Sequence, residues 1–225
     1  MIYSKKTFVT SLFFFLLFAP TLLADSGPPM PESESRLKNR SPKEMAIAYY
    51  NKGLGLKDDA WKFEKEAAEA SSDSEKAKLL GKAQKSYTKA IKQYELALKK
   101  DPDLYQAHSG LGYVLRKTGD HQAALESYNK ALELQPTYTE AIEYRAEAHL
   151  GLNMLEEAKA AYMVLFQHDR PRADKLLAAM KDWVVEKDQD PGSAGREAVQ
   201  NFAEWVKERS EIAQKSGSKG SNGVW

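Results

Sequence analysis

The sequence predicts an all-α protein made of antiparallel helix pairs that stack side by side. Small and aromatic residues recur with a period of about 34 residues, a length that suits one helix pair per repeat. The recurring positions are Ala90, Ala124 and Ala158, together with Tyr94, Tyr128 and Tyr162. Over residues 42–101 the apolar residues also alternate at spacings of three and four, which is typical of two helices packed along a continuous seam.

The clearest repeat unit spans residues 105–136. Gly112 and Ala124 are small at the points where the two helices of the pair would approach each other. Gly119 predicts the end of the first helix, because glycine readily takes the positive φ that such an end requires. Asp120 then has the side chain of a helix cap and predicts the start of the second helix.

These residue types at these spacings resemble the tetratricopeptide repeat, with further matches at Leu111, Leu115, Ala131 and Pro136. The resemblance implies a right-handed α-solenoid of antiparallel helix pairs. It also implies a concave groove, lined by the first helix of each repeat, that receives a peptide segment. The resemblance covers about residues 42–171 and continues more weakly to about residue 214. The third unit departs from the pattern, because Leu165 stands where an alanine is expected.

The composition and the repeat pattern together divide the chain into seven parts. They are a signal peptide at 1–24, a flexible linker at 25–41, an enlarged first repeat at 42–101, a second repeat at 102–136, a degenerate third repeat at 137–171, capping helices at 172–214 and a flexible tail at 215–225. The capping helices are expected because the end of a repeat stack must be covered. The tail is expected to be flexible because it is rich in serine and glycine.

The start of the chain has the layout of a secretory signal peptide. Lys5 and Lys6 precede the apolar run 7–18, Pro20 follows it, and Ala24 is a small residue suited to cleavage. An uncleaved membrane anchor is the alternative, but the run is shorter than the roughly 20 residues that a spanning helix needs. We therefore expect an exported protein, periplasmic or secreted, with no stable membrane span after cleavage.

The first repeat predicts a long helical hairpin that extends past the other repeats. Gly53 matches Gly112, but its partner Ala90 comes far later than the spacing within the second repeat allows. The two arms of the seam, 46–70 and 80–97, account for the extra length without a loop. The hairpin either touches a partner or a second copy of the chain, or it only enlarges the core.

The overall charge and composition exclude several classes of site. The chain has 33 Lys plus Arg and 32 Asp plus Glu, and loss of the leader would leave 31 against 32. Such a balance is poorly suited to nucleic acid. The absence of cysteine excludes disulfides and thiolate metal sites, and none of the four histidines lies within metal-ligand spacing of another. We predict no catalytic residues, no cofactor and no metal, and therefore no enzyme.

The candidate site is the concave groove that the resemblance implies. Alignment of the inner positions of the first helices gives ten residues: Tyr50, Asn51, Gln106, Ser109, Tyr113, Arg116, Lys117, Glu140, Glu143 and Glu147. The three glutamates share one helix face and either meet a partner or pair with Arg116 and Lys117 across the repeat boundary. A carboxylate clamp found in some members of the family is not recognisable here, because Gly110 and Tyr144 stand at positions that it requires to be polar or basic.

Our leading interpretation is a non-catalytic scaffold or adaptor of the cell envelope that binds a peptide or protein segment in this groove. The alternative is a structural envelope component that self-associates into a homo-oligomer through the long hairpin. An enzyme or a small-molecule binder built on helical repeats is a third interpretation, which the lack of catalytic sets disfavours.

Overall fold

The structure is a computed structural model that describes residues 40–220, and the side chains of residues 40–215. These residues form eight α-helices and one 3-10 turn. The helices are α1 Pro42–Ala68, α2 Asp73–Lys100, α3 Tyr105–Lys117, α4 His121–Leu134, α5 Thr139–Gly151, α6 Leu155–His168, α7 Arg170–Gln189 and α8 Arg196–Gly220, and the 3-10 turn is Gly192–Ala194. The predicted all-α fold is confirmed for this part of the chain. The predicted signal peptide lies outside it, as does the predicted linker apart from Arg40 and Ser41.

The helices pack as four successive antiparallel pairs, α1 with α2, α3 with α4, α5 with α6 and α7 with α8. Each pair also packs against the next one. The first helices of the pairs, α1, α3, α5 and α7, lie next to one another in that order. One face of the stack is therefore built from first helices alone, and this face carries the candidate groove.

The first pair is about twice as long as the two pairs that follow it. Helices α1 and α2 have 27 and 28 residues, whereas α3 and α4 have 13 and 14. At about 1.5 Å per residue the hairpin extends roughly 20 Å beyond the regular repeats. The predicted seam is buried along most of its length, from Ala46 to Ala67 on α1. Leu80, at the start of the predicted seam on α2, is instead 44% exposed, and Leu79 is the half-buried residue of that turn.

Local signals set both ends of the hairpin. At its start Ser41 and Glu44 form a capping box, in which the Ser41 backbone N–H donates to the Glu44 carboxylate at 2.8 Å. This bond and the one from the Ser41 side chain lower the pKa of Glu44. At the tip Ser72 accepts from the Glu75 backbone N–H at 3.2 Å and starts α2. Both caps satisfy backbone donors that a helix start leaves unpaired.

Close approach between helices depends on glycine packed against tyrosine. The ring of Tyr94 lies between α1 and α3, and a Cβ atom on either Gly53 or Gly110 would come within 2.7 Å of it. Gly112 meets the ring of Tyr128 in the same way, also at 2.7 Å. Real Cβ atoms do not approach a ring this closely, so these glycines set the spacing of the first four helices.

The turns of the second and third repeats differ in how they are capped. Gly119 ends α3 with a φ of 93°, and Asp120 accepts from the Ala123 backbone N–H at 3.1 Å to start α4. In the third repeat Asn153 takes the left-handed conformation with a φ of 59°, and Met154 gives no side-chain cap. Asparagine tolerates this conformation better than most residues, which keeps the turn in a degenerate repeat.

The last pair covers the end of the stack. Trp183 on α7 donates from Nε1 to the Leu150 carbonyl oxygen at 2.8 Å, and its ring meets Phe202 on α8 at 5.2 Å. Helix α8 continues to Gly220, so the tail predicted from Lys215 begins inside this helix. Adding residues to an existing helix costs little compared with nucleating one, which explains the extension. The five residues after Gly220 lie outside the described residues.

Within residues 40–220 no helix combines the length and the apolar character needed to cross a membrane. The same range contains no group of His, Cys, Asp and Glu side chains placed to hold a metal ion.

Replacing Gly53 by Ala should destabilise the protein by about 1–3 kcal/mol, because the new methyl group would overlap the Tyr94 ring. Gly55 is the matched control on the same helix, since a Cβ there meets nothing within 4 Å. Gly55→Ala should stabilise by up to about 1 kcal/mol through helix propensity. Urea unfolding followed by circular dichroism would measure both, and equal stability of the two variants would contradict the packing argument.

Candidate functional site

A groove of about 460 Å³ lies on the face built from the first helices. It is lined by five of the residues that the sequence predicts: Tyr113, Arg116, Lys117, Glu143 and Glu147. They come from the last five residues of α3 and from the middle of α5. The structure thus brings half of the predicted residues together in one place.

Six further residues line the groove that the sequence alignment missed: Lys57, Asp58, Trp61 and Glu64 of α1, Tyr144 of α5 and Lys175 of α7. Lys57 and Asp58 align with Arg116 and Lys117 of the regular repeat, whereas Trp61 and Glu64 belong to the extra turns of the hairpin, and together they form a wall beside α3. The sequence does contain a signal for this wall. From the predicted residue Tyr50, spacings of four and three residues lead along one helix face through Leu54 to Lys57, Trp61 and Glu64. Lys175 was missed because the last helix pair was treated only as a cap.

Three predicted residues lie toward the other end of the first helices. Tyr50 packs on Tyr94, with ring centroids 6.0 Å apart. Burial raises the pKa of Tyr50, and the nearby charge of Glu140 adds to the effect. Gln106 is half-buried at the start of α3. These residues flank the groove and do not line it.

One predicted groove residue is wrong, and a second does not line the groove. Ser109 is only 2% exposed, so it is buried between helices and closed to a partner. Asn51 is exposed but is not among the residues that line the groove, and the match of Gly53 to Gly112 aligns it with Gly110, which faces the preceding helix pair through Tyr94. The correct inner positions of α1 in this register are Ile47, Tyr50, Leu54, Lys57 and Asp58.

Ion pairs connect neighbouring first helices across the groove. Lys117 of α3 pairs with Glu64 of α1 at 2.8 Å, and Arg116 of α3 pairs with Glu147 of α5 at 2.8 Å. All four side chains are between 15% and 28% exposed. Pairing across the repeat boundary, one of the two predicted alternatives, is thus correct for Arg116 and Glu147. Lys117 pairs with the hairpin instead.

Arg172 of α7 holds the other two predicted glutamates. It donates from Nη1 to Glu143 at 2.6 Å and from Nη2 to Glu140 at 3.2 Å. Glu143 is only 3% exposed, and burial raises the pKa of its carboxyl group, although Arg172 acts in the opposite direction. Asp169, which accepts from Thr139 at 2.7 Å, caps α7 and orients it for this contact.

Aromatic rings form the floor of the groove. The rings of Tyr113 and Tyr144 meet edge to face with centroids 5.0 Å apart, and Tyr113 also meets Tyr87 at 6.3 Å. Burial raises the pKa of both Tyr113 and Tyr144, so both phenols are neutral at physiological pH. Lys57 and Arg116 lie over the Tyr113 ring at 5.4 and 5.3 Å. The floor therefore offers flat apolar surface with cations at its edge.

Two lysines of the groove are left without a close ion pair among the described residues. Lys175 has no carboxylate within 4 Å, and the Asp58 oxygen nearest to the Lys57 ammonium is 3.9 Å away. Beside them Trp61 is 55% exposed, and Lys65 lies over its ring at 4.7 Å. These groups can contact a partner without breaking an existing pair.

A second groove, of about 580 Å³, lies on the opposite side of the third repeat between α4, α5 and α6. Leu132, Ile142 and Val164 line it, and Arg145 crosses it to donate to Asn129 at 2.9 Å. It contains none of the ten predicted residues.

The middle of the chain matches a known family of sequences. The sequence profile described as "Tetratricopeptide repeat" matches residues 74–139. Tetratricopeptide repeats are present in this chain. The matched residues comprise α2, α3 and α4, which supply part of the groove floor. The presence of these repeats supports a role as a protein–protein interaction scaffold.

Two relatives match part of the chain. The chain is 39% identical over 83 residues to the mitochondrial import receptor subunit TOM70 of Saccharomyces cerevisiae, which is 36% of this chain and 13% of that protein. It is 35% identical over 85 residues to the photosystem I assembly protein Ycf3 of Acaryochloris marina, which is 37% of this chain and 46% of that protein. The matched part thus spans less than half the length of either relative.

Replacing Arg172 by Gln should destabilise the protein by about 2 kcal/mol at pH 7, because the buried Glu143 would lose its charged partner. The pKa of Glu143 is already raised and would rise further. A folded state that binds a proton more tightly than the unfolded state gains stability as pH falls, so the deficit should shrink between pH 7 and pH 5.

Urea unfolding at the two pH values would measure this deficit. Lys130→Gln is the control, because Lys130 pairs with Glu133 at 3.0 Å on the exposed surface and such pairs contribute less than about 1 kcal/mol. A deficit for Arg172→Gln that stays the same or grows toward pH 5 would contradict the assignment of Arg172 to Glu143.

Proposed function

We propose that the chain is a non-catalytic adaptor of the cell envelope that binds a segment of another protein in the groove between α1, α3, α5 and α7. The observation that carries this proposal is the convergence of exposed Trp61, the Tyr113 and Tyr144 rings and two poorly paired lysines in one concave site. Aromatic rings and cations of this kind are common at the energetic centres of protein interfaces.

The groove suits a polypeptide better than a small molecule. It is open, it runs across four helices, and its lining mixes rings with charged groups from each of them. Small-molecule sites are mostly apolar and bury most of the ligand surface. Most of the lining charges are already paired between neighbouring helices, which favours a partner that adds contacts over one that requires a charged pocket.

The names of the relatives agree with a role in handling other proteins. One is named as an import receptor subunit and the other as an assembly protein. For this chain we propose the binding of a protein segment. Neither relative indicates the compartment or the partner of this chain.

The proposed export rests on the first 24 residues of the sequence. Their positive start, apolar run and small residue before Asp25 favour a cleaved signal peptide. In an exported protein the partner would belong to the cell envelope or to the space outside it.

Replacing Tyr113, Arg116 and Glu147 together by Ala should reduce capture of the partner by about tenfold or more, since interface rings and arginines often carry this much affinity. The set removes both members of an ion pair, so no charge is left buried without a partner. Affinity capture of the tagged protein from crosslinked native cells, quantified by mass spectrometry, would measure the loss.

The matched control is the triple replacement of Asn129, Arg145 and Val164 by Ala. It removes a hydrogen-bonded pair and one exposed apolar side chain from the second groove. Circular dichroism would establish that both triple variants keep their helices. Equal capture by the groove variant and the wild-type protein would refute the proposed site.

Export makes a separate prediction. The protein isolated from its native cells should begin at Asp25 and should fractionate outside the cytoplasm, because cleavage after Ala24 removes the leader. Sequencing of the amino terminus would measure this. A protein that begins at Met1 or Ile2 and stays in the cytoplasmic fraction would refute the export proposal and leave the groove proposal intact.

A further inference from the structure

Helix α1 carries a row of three large apolar residues, of which the two outer ones are exposed and the middle one, Leu54, is half-buried. Ile47, Leu54 and Trp61 are spaced seven residues apart, which places them on one side of the helix with only a slight drift. Ile47 is 51% exposed and Trp61 is 55% exposed. Trp61 lines the groove, and from there the row runs along α1 for about 21 Å at 1.5 Å per residue.

The adjacent row on α1 makes the contacts with the other helices, which explains why Ile47 and Trp61 are exposed to solvent. Tyr50, Lys57 and Glu64, also seven apart, hold α1 against the rest of the stack. Tyr50 packs on Tyr94, Lys57 lies over Tyr113, and Glu64 pairs with Lys117. Ile47 and Trp61 are therefore exposed apolar surface beyond what the fold uses, with the half-buried Leu54 between them.

We propose that this row is the docking site of an amphipathic helix from the partner, which lies along α1 and carries acidic residues beside its apolar face. This inference rests on the proposed function and specifies the chemistry of the partner. A seven-residue spacing on a long straight helix matches another helix, whose apolar residues recur at the same interval. An extended peptide would present alternate residues at a spacing near 7 Å, which does not match an interval of about 10 Å.

The charges around the row favour an acidic partner. Lys57, Lys65 and Lys175 lie near the Trp61 end of the row, and none of them has a carboxylate closer than 3.9 Å in the described part of the chain. Lys57 and Lys65 lie over aromatic rings, and such a contact leaves the ammonium group able to accept a carboxylate partner. Asp58 is the one carboxylate of the groove lining that is mostly exposed, at 71% for its side chain. The uncommitted charge that an incoming helix meets is therefore mainly positive.

A second copy of the chain fits the row poorly. An antiparallel pairing of two α1 helices centred on Leu54 would place Lys43 opposite Lys65 and Glu44 opposite Glu64. Like charges at such flanking positions disfavour pairing between helices. The occupant we infer is therefore a different polypeptide.

The test uses three synthetic peptides of 21 residues and the purified chain. The first peptide is an amphipathic helix with leucines at alternating spacings of three and four and glutamates at the flanking positions. The second replaces the flanking glutamates by lysines, and the third has two central prolines that prevent a helix. Fluorescence anisotropy of the labelled peptides would give their affinities.

The acidic helical peptide should bind, and the other two should bind at least about tenfold more weakly. Binding of the acidic peptide should weaken about tenfold or more with Trp61→Ala and with Ile47→Ser. The matched control is Met163→Ser, since Met163 is an exposed apolar residue on α6 that lines neither groove. Failure of the acidic peptide to bind, or equal binding of all three peptides, would overturn the inference.

A photo-crosslinking residue introduced into the protein at position 54, 163 or 175, and activated in native cells, distinguishes this inference from the proposed function. Adducts to another protein from positions 54 and 175, with none from 163, support both. Adducts from position 175 without adducts from position 54 retain the groove and overturn the docked helix. Adducts from neither position refute the proposed function, and self-adducts from position 54 identify a second copy as the occupant and overturn the inference.

Discussion

The contact on which the stack depends is a tyrosine ring packed against the bare Cα of glycine. Tyr94 fills the space between α1 and α3 only because Gly53 and Gly110 have no side chains, and Tyr128 meets Gly112 in the same way. Each ring remains essentially unexposed as a result. Helix spacing, and with it the distance between the groove walls, follows from these contacts, since a packed interior transmits a change of a few tenths of an ångström to its neighbours.

Features that depend on neighbours in the sequence were predictable, and features that depend on distant helices were not. The turn at Gly119, the caps at Ser41 and Asp120 and the long hairpin follow from local residue types. The groove was predicted in part, because Tyr113 and Arg116 follow from the repeat register. Asn51 does not line the groove, because the register set by Gly53 aligns it with Gly110 of the second repeat. The role of Arg172 depends on how α7 packs against α5, which no local pattern shows.

The concave face is held together by its own charges. Each adjacent pair of first helices shares at least one ion pair: Glu64–Lys117, Arg116–Glu147 and Glu143–Arg172. The pairs are partly shielded from solvent, so breaking one to bind a partner would cost more than breaking an exposed pair. The glutamates of α5 are thus retained by contacts within the fold, which removes the need for a basic partner to explain them.

Because the ion pairs occupy these side chains, the residues that can distinguish one partner from another lie on the hairpin side of the groove. Residues whose charges are paired within the fold contribute only to the shape of the groove. The groups still able to make new contacts are Trp61, Ile47 at the other end of the apolar row of α1, and the lysines beside Trp61. A regular first helix such as α3 has 13 residues, and its groove-lining residues all lie within the last five. The 27 residues of α1 supply a longer wall than the repeat pattern requires. The extension of the first repeat therefore gives a general peptide-binding fold a surface that can select one class of partner.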